Sequence, residues 1–134
     1  MQTRLTDDEE SVRDAFRAFF ANESPTSVVR SSETAGHSPE LWDALTAMGG
    51  PGMALPSAVG GGDASLRDLA VVAEVYGAHL APVPLLEHAV AARLLSRSGG
   101  HDELVGALAA GAPIATLALR PAVDGTAHLS LIHI

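Results

Sequence analysis

Helix-start signals recur along this sequence, and they constrain the fold more than any other feature. Residues 6–9 (TDDE) form a capping box, in which a Thr and a Glu three residues later satisfy each other's backbone amides. Residues 65–68 (SLRD) repeat the pattern, and Ser38 stands before a Pro that suits the first helical turn. Apolar residues at helical spacing follow each signal. The chain is therefore predicted to form short, capped helices.

Glycines and prolines set the ends of these helices, because Gly favours a left-handed cap and Pro cannot continue a helix. Residues 24–37 lack apolar periodicity and are predicted to be mostly loop, with at most a short turn. The five predicted helices are residues 7–22, 38–48, 66–77, 85–98 and 103–110. The glycines at 60–62 indicate a tight turn, which we weigh above a ligand-binding loop.

One segment near the end of the chain has a different pattern. Residues 114–119 (IATLAL) form a compact apolar run with Pro113 before it and Pro121 after it. A short apolar run bounded in this way is typical of a buried strand. The sequence thus predicts helices followed by one strand.

Composition excludes several classes of function. The 134 residues are 47% hydrophobic, enough for a real core, and carry a net charge of −8, which argues against a general nucleic-acid binder. Cysteine is absent, which rules out disulfides, thiolate zinc sites and cysteine nucleophiles. The N-terminus lacks the apolar core of a signal peptide, and the uncharged stretch 104–119 is too short to span a membrane. We expect a cytoplasmic protein with no membrane span and no nucleic-acid partner.

No complete catalytic or metal-binding motif is present, so no catalytic residue and no metal site are predicted. The histidines lack the spacing of metal ligands; they are His37, His79, His88, His101, His128 and His133. Glu87 and His88 are neighbours on a helix and point in different directions, so they make a poor acid–base pair. Glu74 interrupts an apolar helix and is either an exposed or ion-paired residue or a buried base with a raised pKa.

The order of these segments resembles the N-terminal part of the acyl-CoA dehydrogenase family. Residues 5–14 are similar to that family's first helix, which often begins L-T-x-E-Q, and residues 41–49 to its second helix. Residues 53–62 resemble the turn P-E-x-x-G-G-x-G, and residues 68–77 the helix that ends in E-E-L-G. Residues 111–121 are similar to the entry into the family's middle β-domain. The resemblance covers about residues 1–125.

This resemblance implies a fold class and a chemistry. The fold would be an all-α N-terminal domain of about five helices followed by the first strand of an incomplete β-domain. Members of the family are FAD-dependent enzymes of fatty acid or steroid catabolism: a carboxylate takes the α-proton of an acyl-CoA thioester and a hydride passes to the flavin. The parent would bind acyl-CoA, pass electrons to a transfer partner and form a homo- or hetero-oligomer.

The flavin-contacting motif of the family, T-E-P-x-x-G-S-D, is altered here. Residues 119–125 read LRPAVDG, so Leu119 and Arg120 stand where the family has Thr and Glu. A hydroxyl contact to flavin is lost, whereas a backbone contact from Ala118 or Leu119 can survive. We therefore predict Ala118 and Leu119 as cofactor-binding through their backbone, in a divergent branch that fits the less active subunit of a two-subunit dehydrogenase.

The resemblance divides the chain into three parts: residues 1–112 as the helical domain, 113–128 as the truncated start of the middle β-domain, and 129–134 as a non-native tail. The family's catalytic carboxylate lies in a C-terminal domain without counterpart in this sequence. We thus expect a fragment that neither catalyses the reaction nor retains FAD. The alternative is a small helical protein-interaction module without catalytic activity, for which one unpaired apolar strand would serve no purpose.

Overall fold

The computed structural model describes residues 4–119 and 129–133, and it has six α-helices followed by a two-stranded antiparallel sheet. A short 3₁₀ turn, Ser57–Val59, lies between α3 and α4. The elements are α1 Asp7–Glu23, α2 Thr26–Ser31, α3 Pro39–Ala47, α4 Leu66–Ala78, α5 Leu85–Ser98, α6 Asp102–Ala109, β1 Ala115–Leu119 and β2 Leu129–His133. The predicted fold class, a helical domain followed by a strand, is confirmed.

Two elements were not predicted. Helix α2 lies in the segment interpreted as mostly loop; it has no side-chain cap and begins with backbone bonds from Val28 and Val29 to the Pro25 carbonyl. Strand β2 lies in the predicted tail and pairs with β1 in the register Ala115↔His133 to Leu119↔Leu129. Neither a six-residue helix nor a strand paired across a long gap has a strong local sequence signal.

The described residues fall into two compact units. Unit 1 consists of the described part of residues 1–47 together with 64–83, and it contains α1 to α4. Its centre is aromatic: Phe20 is fully buried, Trp42 is buried, and the Phe20 ring meets the edge of the Tyr76 ring at 6.1 Å between centroids. Tyr76 also donates a 2.7 Å hydrogen bond to the Val83 carbonyl. These contacts hold α1 against α4.

An ion pair joins the first turns of α1 and α4 within unit 1. The predicted capping box of α1 is formed, and Glu9 Oε2 accepts the Thr6 amide at 2.8 Å. The other oxygen of Glu9 lies 2.5 Å from Nε of Arg67, a residue of the second capping-box segment. Because the Glu9 side chain is only 10% exposed, this carboxylate is more strongly coupled to its partners than a surface ion pair. Each helix start therefore supports the other.

Unit 2 consists of residues 48–63 and the described part of 84–134. Its apolar cluster is formed by one face of α5 and α6 together with a glycine-rich loop and the first residue of β1; the cluster comprises Leu55, Ala91, Ala92, Val105, Leu108, Ala109 and Ala115. At two glycines of this loop the neighbouring backbone lies too close for a side chain. A Cβ at Gly52 would lie 2.7 Å from the Ala109 carbonyl oxygen, and one at Gly61 would overlap the Leu55 carbonyl. The predicted tight turn is therefore a structural packing element.

Replacing Glu9 tests the link between the two helix starts. We expect Glu9→Ala to lower the free energy of unfolding by about 2 kcal/mol, since it removes the ion pair with Arg67 and the acceptor of the Thr6 amide. Glu9→Gln keeps an acceptor for the Thr6 amide and should cost less. Chemical denaturation measures both, and Arg13→Ala, which removes an exposed pair with Asp14, is the control with a change near zero. Equal effects of all three variants would contradict the coupling.

Two glycine substitutions should have opposite effects. Gly61→Ala forces a Cβ onto the Leu55 carbonyl, and we expect it to destabilise the protein by about 3 kcal/mol. Gly77→Ala lies in α4 with no heavy atom near the new Cβ, and we expect a gain of roughly 0.5 kcal/mol from the better helix former. Thermal denaturation monitored by circular dichroism compares the two, and a Gly61→Ala protein as stable as Gly77→Ala would refute the packing argument.

Candidate functional site

The predicted cofactor-contacting residues lie at the end of strand β1. Ala118 pairs with Ser130 and Leu119 pairs with Leu129 of β2. The start of the same strand is held by unit 2, where β1 packs against α5. The position of Ala118 and Leu119 therefore depends on what fixes β1 at Ala115.

A buried histidine fixes that end of the strand. The His88 side chain projects from α5 and is fully buried. Its Nε2 lies 2.9 Å from the Leu108 carbonyl in α6, and its Nδ1 lies 3.1 Å from the amide nitrogen of Ala115. One imidazole thus joins three elements.

The hydrogen-bond partners determine the protonation state of His88. A backbone N–H can only donate, so Nδ1 must carry a lone pair; a carbonyl can only accept, so Nε2 must carry the proton. The ring is therefore the neutral Nε2–H tautomer. Burial lowers the pKa of His88 below its usual value, and the bond to the Leu108 carbonyl opposes this shift in part. Both geometry and burial favour the uncharged ring.

The Ala115 bond also determines which backbone groups of β1 face β2. Because the Ala115 N–H is directed to His88, Ala115 occupies a position of the antiparallel ladder that does not hydrogen-bond to β2. Backbone groups alternate along a strand, so those of Leu119 also point away from β2, and those of Ala118 point toward it. Of the two residues predicted to contact a cofactor through their backbone, Leu119 is therefore the one whose N–H is not directed at β2.

An apolar stripe runs along the exposed side of α5 within unit 2. Val90 is 52% exposed and Leu94 is 41% exposed, and Leu86 precedes them by one helical turn. Leu86 and Val90, with Thr116 and Leu117 of β1, line an open groove of about 290 Å³. We call Leu86, Val90 and Leu94 the α5 stripe. The groove beside it is concave and mainly apolar, as binding sites for ligands and for other domains usually are.

The other residues considered from sequence are not brought together. Glu74 is exposed, so the buried-base interpretation is wrong. Glu87 is exposed whereas His88 is buried, as expected for neighbours that point apart. Within residues 4–119 and 129–133, no group of three or more acidic or histidine residues is placed to hold a metal ion. His128 and the altered motif at 120–125 lie outside the described residues.

Sequence reasoning did not find the role of His88, although one signal was present. His88 lies three residues after Leu85 and four before Ala92, on the buried face of α5. A histidine at a core position of an apolar helix must find buried hydrogen-bond partners. Those partners come from α6 and β1 and cannot be read from the pattern of α5.

Comparison with known proteins agrees with this architecture. A model of the N-terminal domain of acyl-CoA dehydrogenases matches residues 6–104, which include α1 to α5 and the start of α6. The chain belongs to the acyl-CoA dehydrogenase family. Its helices therefore correspond to that family's N-terminal helical domain, as the sequence resemblance predicted.

A relative in this family is acyl-CoA dehydrogenase IpdE2 of Mycolicibacterium smegmatis. The two are 32% identical over 120 residues, which is 87% of this chain and 38% of the relative. The chain thus spans well under half of the length of that acyl-CoA dehydrogenase. No solved structure matches the chain. No helix among the described residues is long and apolar enough to cross a membrane.

The α5 stripe generates a prediction about this chain. We expect a Val90→Gln, Leu94→Gln double variant to change the free energy of unfolding by less than about 0.5 kcal/mol, because exposed side chains contribute little to folding. Binding of a hydrophobic dye should fall, since the exposed apolar area is reduced. The control is Ala92→Leu, a fully buried position, where added volume should cost about 2 kcal/mol. A large loss of stability in the double variant would show that the stripe is not exposed.

Proposed function

We propose that this chain is the N-terminal portion of an FAD-dependent acyl-CoA dehydrogenase whose complete polypeptide catalyses α,β-dehydrogenation of an acyl-CoA thioester. The observation that carries the proposal is the family match over residues 6–104. It is supported by strand β1, which follows α6 in the segment where the sequence resemblance expects the family's β-domain to start. In this proposal the protein is cytoplasmic, the complete enzyme is an oligomer, and its electrons pass to a separate acceptor protein.

The residues of this chain would position the cofactor and not carry out the proton transfer. FAD, when bound, supplies the acceptor for the hydride. The N–H of Leu119 would donate a hydrogen bond to an acceptor atom of the flavin ring, since it points away from β2. Ala118 would hold the strand through its bonds to β2. A described carboxylate in unit 2, Glu87, is exposed and unlike the buried base that such a reaction requires.

The α5 stripe supports the proposal of a larger parent. Val90 and Leu94 of this stripe are exposed, and in the proposed complete enzyme further polypeptide would cover them. The competing interpretation, a helical interaction module, would also use an exposed apolar surface. The dehydrogenase proposal predicts that a longer polypeptide containing this chain binds flavin, and the interaction-module interpretation predicts that it does not.

Flavin binding by this chain alone tests its proposed inactivity. We expect the 134-residue chain purified with added FAD to retain far less than one flavin per protein after gel filtration, and to show no bleaching at the flavin absorbance maximum when acyl-CoA is added. Stoichiometric flavin with acyl-CoA-dependent bleaching would overturn the proposed inactivity. The longer polypeptide, purified in the same way, should bleach, and its failure to bind flavin would favour the interaction module.

Two proline substitutions in the longer polypeptide test the assignment of Leu119. Leu119→Pro removes an N–H that points away from β2, so we expect FAD affinity to fall about tenfold, the loss of roughly one hydrogen bond to a ligand, with little change in melting temperature of the apoprotein. Ala118→Pro removes a bond to β2 and should lower the melting temperature. Flavin fluorescence titration and thermal denaturation give the two readouts. Unchanged FAD affinity in Leu119→Pro would exclude the proposed contact.

A further inference from the structure

The two hydrogen bonds of the His88 ring depend on whether the ring is charged. Its two ring nitrogens meet partners of opposite kind, a donor at Nδ1 and an acceptor at Nε2, at 3.1 and 2.9 Å. Only the neutral Nε2–H ring satisfies both partners. The ring is fully buried, so water cannot replace either partner without a local opening.

We propose that His88 is a proton-controlled latch, whose neutral ring holds the start of β1 against α5 and α6 and whose protonated ring releases it. Protonation places a hydrogen on Nδ1, directly opposite the Ala115 N–H. Two donors then face each other, the Ala115 bond is lost, and a charged ring is left in an apolar interior. The Leu108 bond survives because Nε2 keeps its proton. Protonation therefore acts on β1 and not on α6.

Among the described residues, the charged side chains of the elements that bond the ring are mostly exposed. The two residues whose backbone groups bond the ring, Leu108 and Ala115, belong to the buried cluster of unit 2, and every member of that cluster is aliphatic. The charged residues of the packed elements are Glu87, Arg93 and Arg97 on α5 and Asp102 and Glu103 on α6, and β1 has none. Those of α6 are exposed, as are Glu87 and Arg97, while Arg93 donates a 2.9 Å bond to the Ala54 carbonyl. None of these carboxylates is buried beside the ring.

The latch makes unit 2 less stable in acid. His88 has a lowered pKa in the folded chain, whereas an unfolded histidine titrates near 6.5. Below about pH 6.5 the unfolded chain therefore binds a proton that the folded chain resists. The stabilising contribution is complete above that pH and is lost as the pH falls toward the lower folded-state pKa. The proposed function places Leu119 of β1 at the flavin site. If that proposal holds, protonation of His88 would also weaken the contact between Leu119 and flavin.

Nuclear magnetic resonance of this chain without flavin tests the latch directly. Long-range ¹H–¹⁵N spectra distinguish a lone-pair nitrogen from a protonated one. At pH 7.5 we expect Nδ1 of His88 to be unprotonated and Nε2 to be protonated. The control is His79 of unit 1, whose Nδ1 lies 2.9 Å from the Val75 carbonyl and must be the protonated nitrogen when neutral. A proton on Nδ1 of His88 at pH 7.5 would overturn the proposal.

Hydrogen exchange at Ala115 provides the second readout. Protection of the Ala115 amide should fall on the order of tenfold as His88 is protonated, while the Val105 amide, bonded to the His101 carbonyl, keeps its protection. Equal protection of Ala115 with the ring neutral and charged would refute the latch.

Two matched variants separate the two bonds of the ring. His88→Asn places an amide oxygen near the position of Nδ1 and can still accept the Ala115 N–H, but it has no ionisable group. His88→Gln reaches toward Leu108 and offers an N–H there, but no acceptor for Ala115. We expect the His88→Asn variant to keep the hydrogen-exchange protection of the Ala115 amide from pH 5 to pH 8. In the His88→Gln variant this protection should be about tenfold lower over the same pH range.

The outcomes separate the latch from the proposed function. A pH-dependent loss of Ala115 protection in His88→Asn would assign the effect to another group and refute the latch. If neither variant folds, the wild-type titration and exchange data still decide. Because no flavin is used, a failed latch leaves the proposed dehydrogenase function untouched, and failed flavin binding in the longer polypeptide leaves the latch untouched.

Discussion

Unit 2 depends on a single uncharged imidazole. The helices α5 and α6 can pack through aliphatic residues, but the first residue of β1 brings a backbone N–H into the same interior. A buried donor without a partner costs about 1–3 kcal/mol, and the His88 ring removes that cost while bonding α6 at its other nitrogen. The strand can therefore start directly beside the helices. Because backbone groups alternate along a strand, the direction of the Ala115 N–H also indicates which later groups of β1 point toward β2.

Local signals explain why the helices could be predicted. The capping boxes at Thr6 and Ser65 are both formed, and Pro84 precedes α5 as expected. These features depend on residues three or four apart, so one sequence is enough to recognise them. Helix α2 has no such cap, and it is held by backbone bonds to Pro25 and by the Ser32 hydroxyl to the Val28 carbonyl. Strand β2 depends on a partner ten or more residues away, which periodicity does not reveal.

The cofactor contact stays a prediction, and the sequence could narrow it only to the end of one strand. The family resemblance placed the cofactor contact on the backbone of Ala118 or Leu119, and sequence offered no way to choose between them. The choice depends on the direction of the Ala115 N–H, which is set by a histidine 27 positions earlier in the chain. In the proposed function, the departure from the family motif at Leu119 would remove a side-chain contact and leave the backbone N–H in place. This difference between side-chain and backbone recognition is why a divergent motif is compatible with the proposed function.

The alanines of unit 2 have a thermodynamic consequence. Four of the seven residues in its buried cluster are alanine, whereas unit 1 is centred on Phe20 and Trp42. The heat capacity of unfolding rises with the apolar area that becomes exposed. An alanine core buries little such area per residue, so unit 2 should have a flatter dependence of stability on temperature than an aromatic core of equal length. The stability of unit 2 then depends more on its polar and backbone bonds than on temperature-sensitive hydration of large side chains.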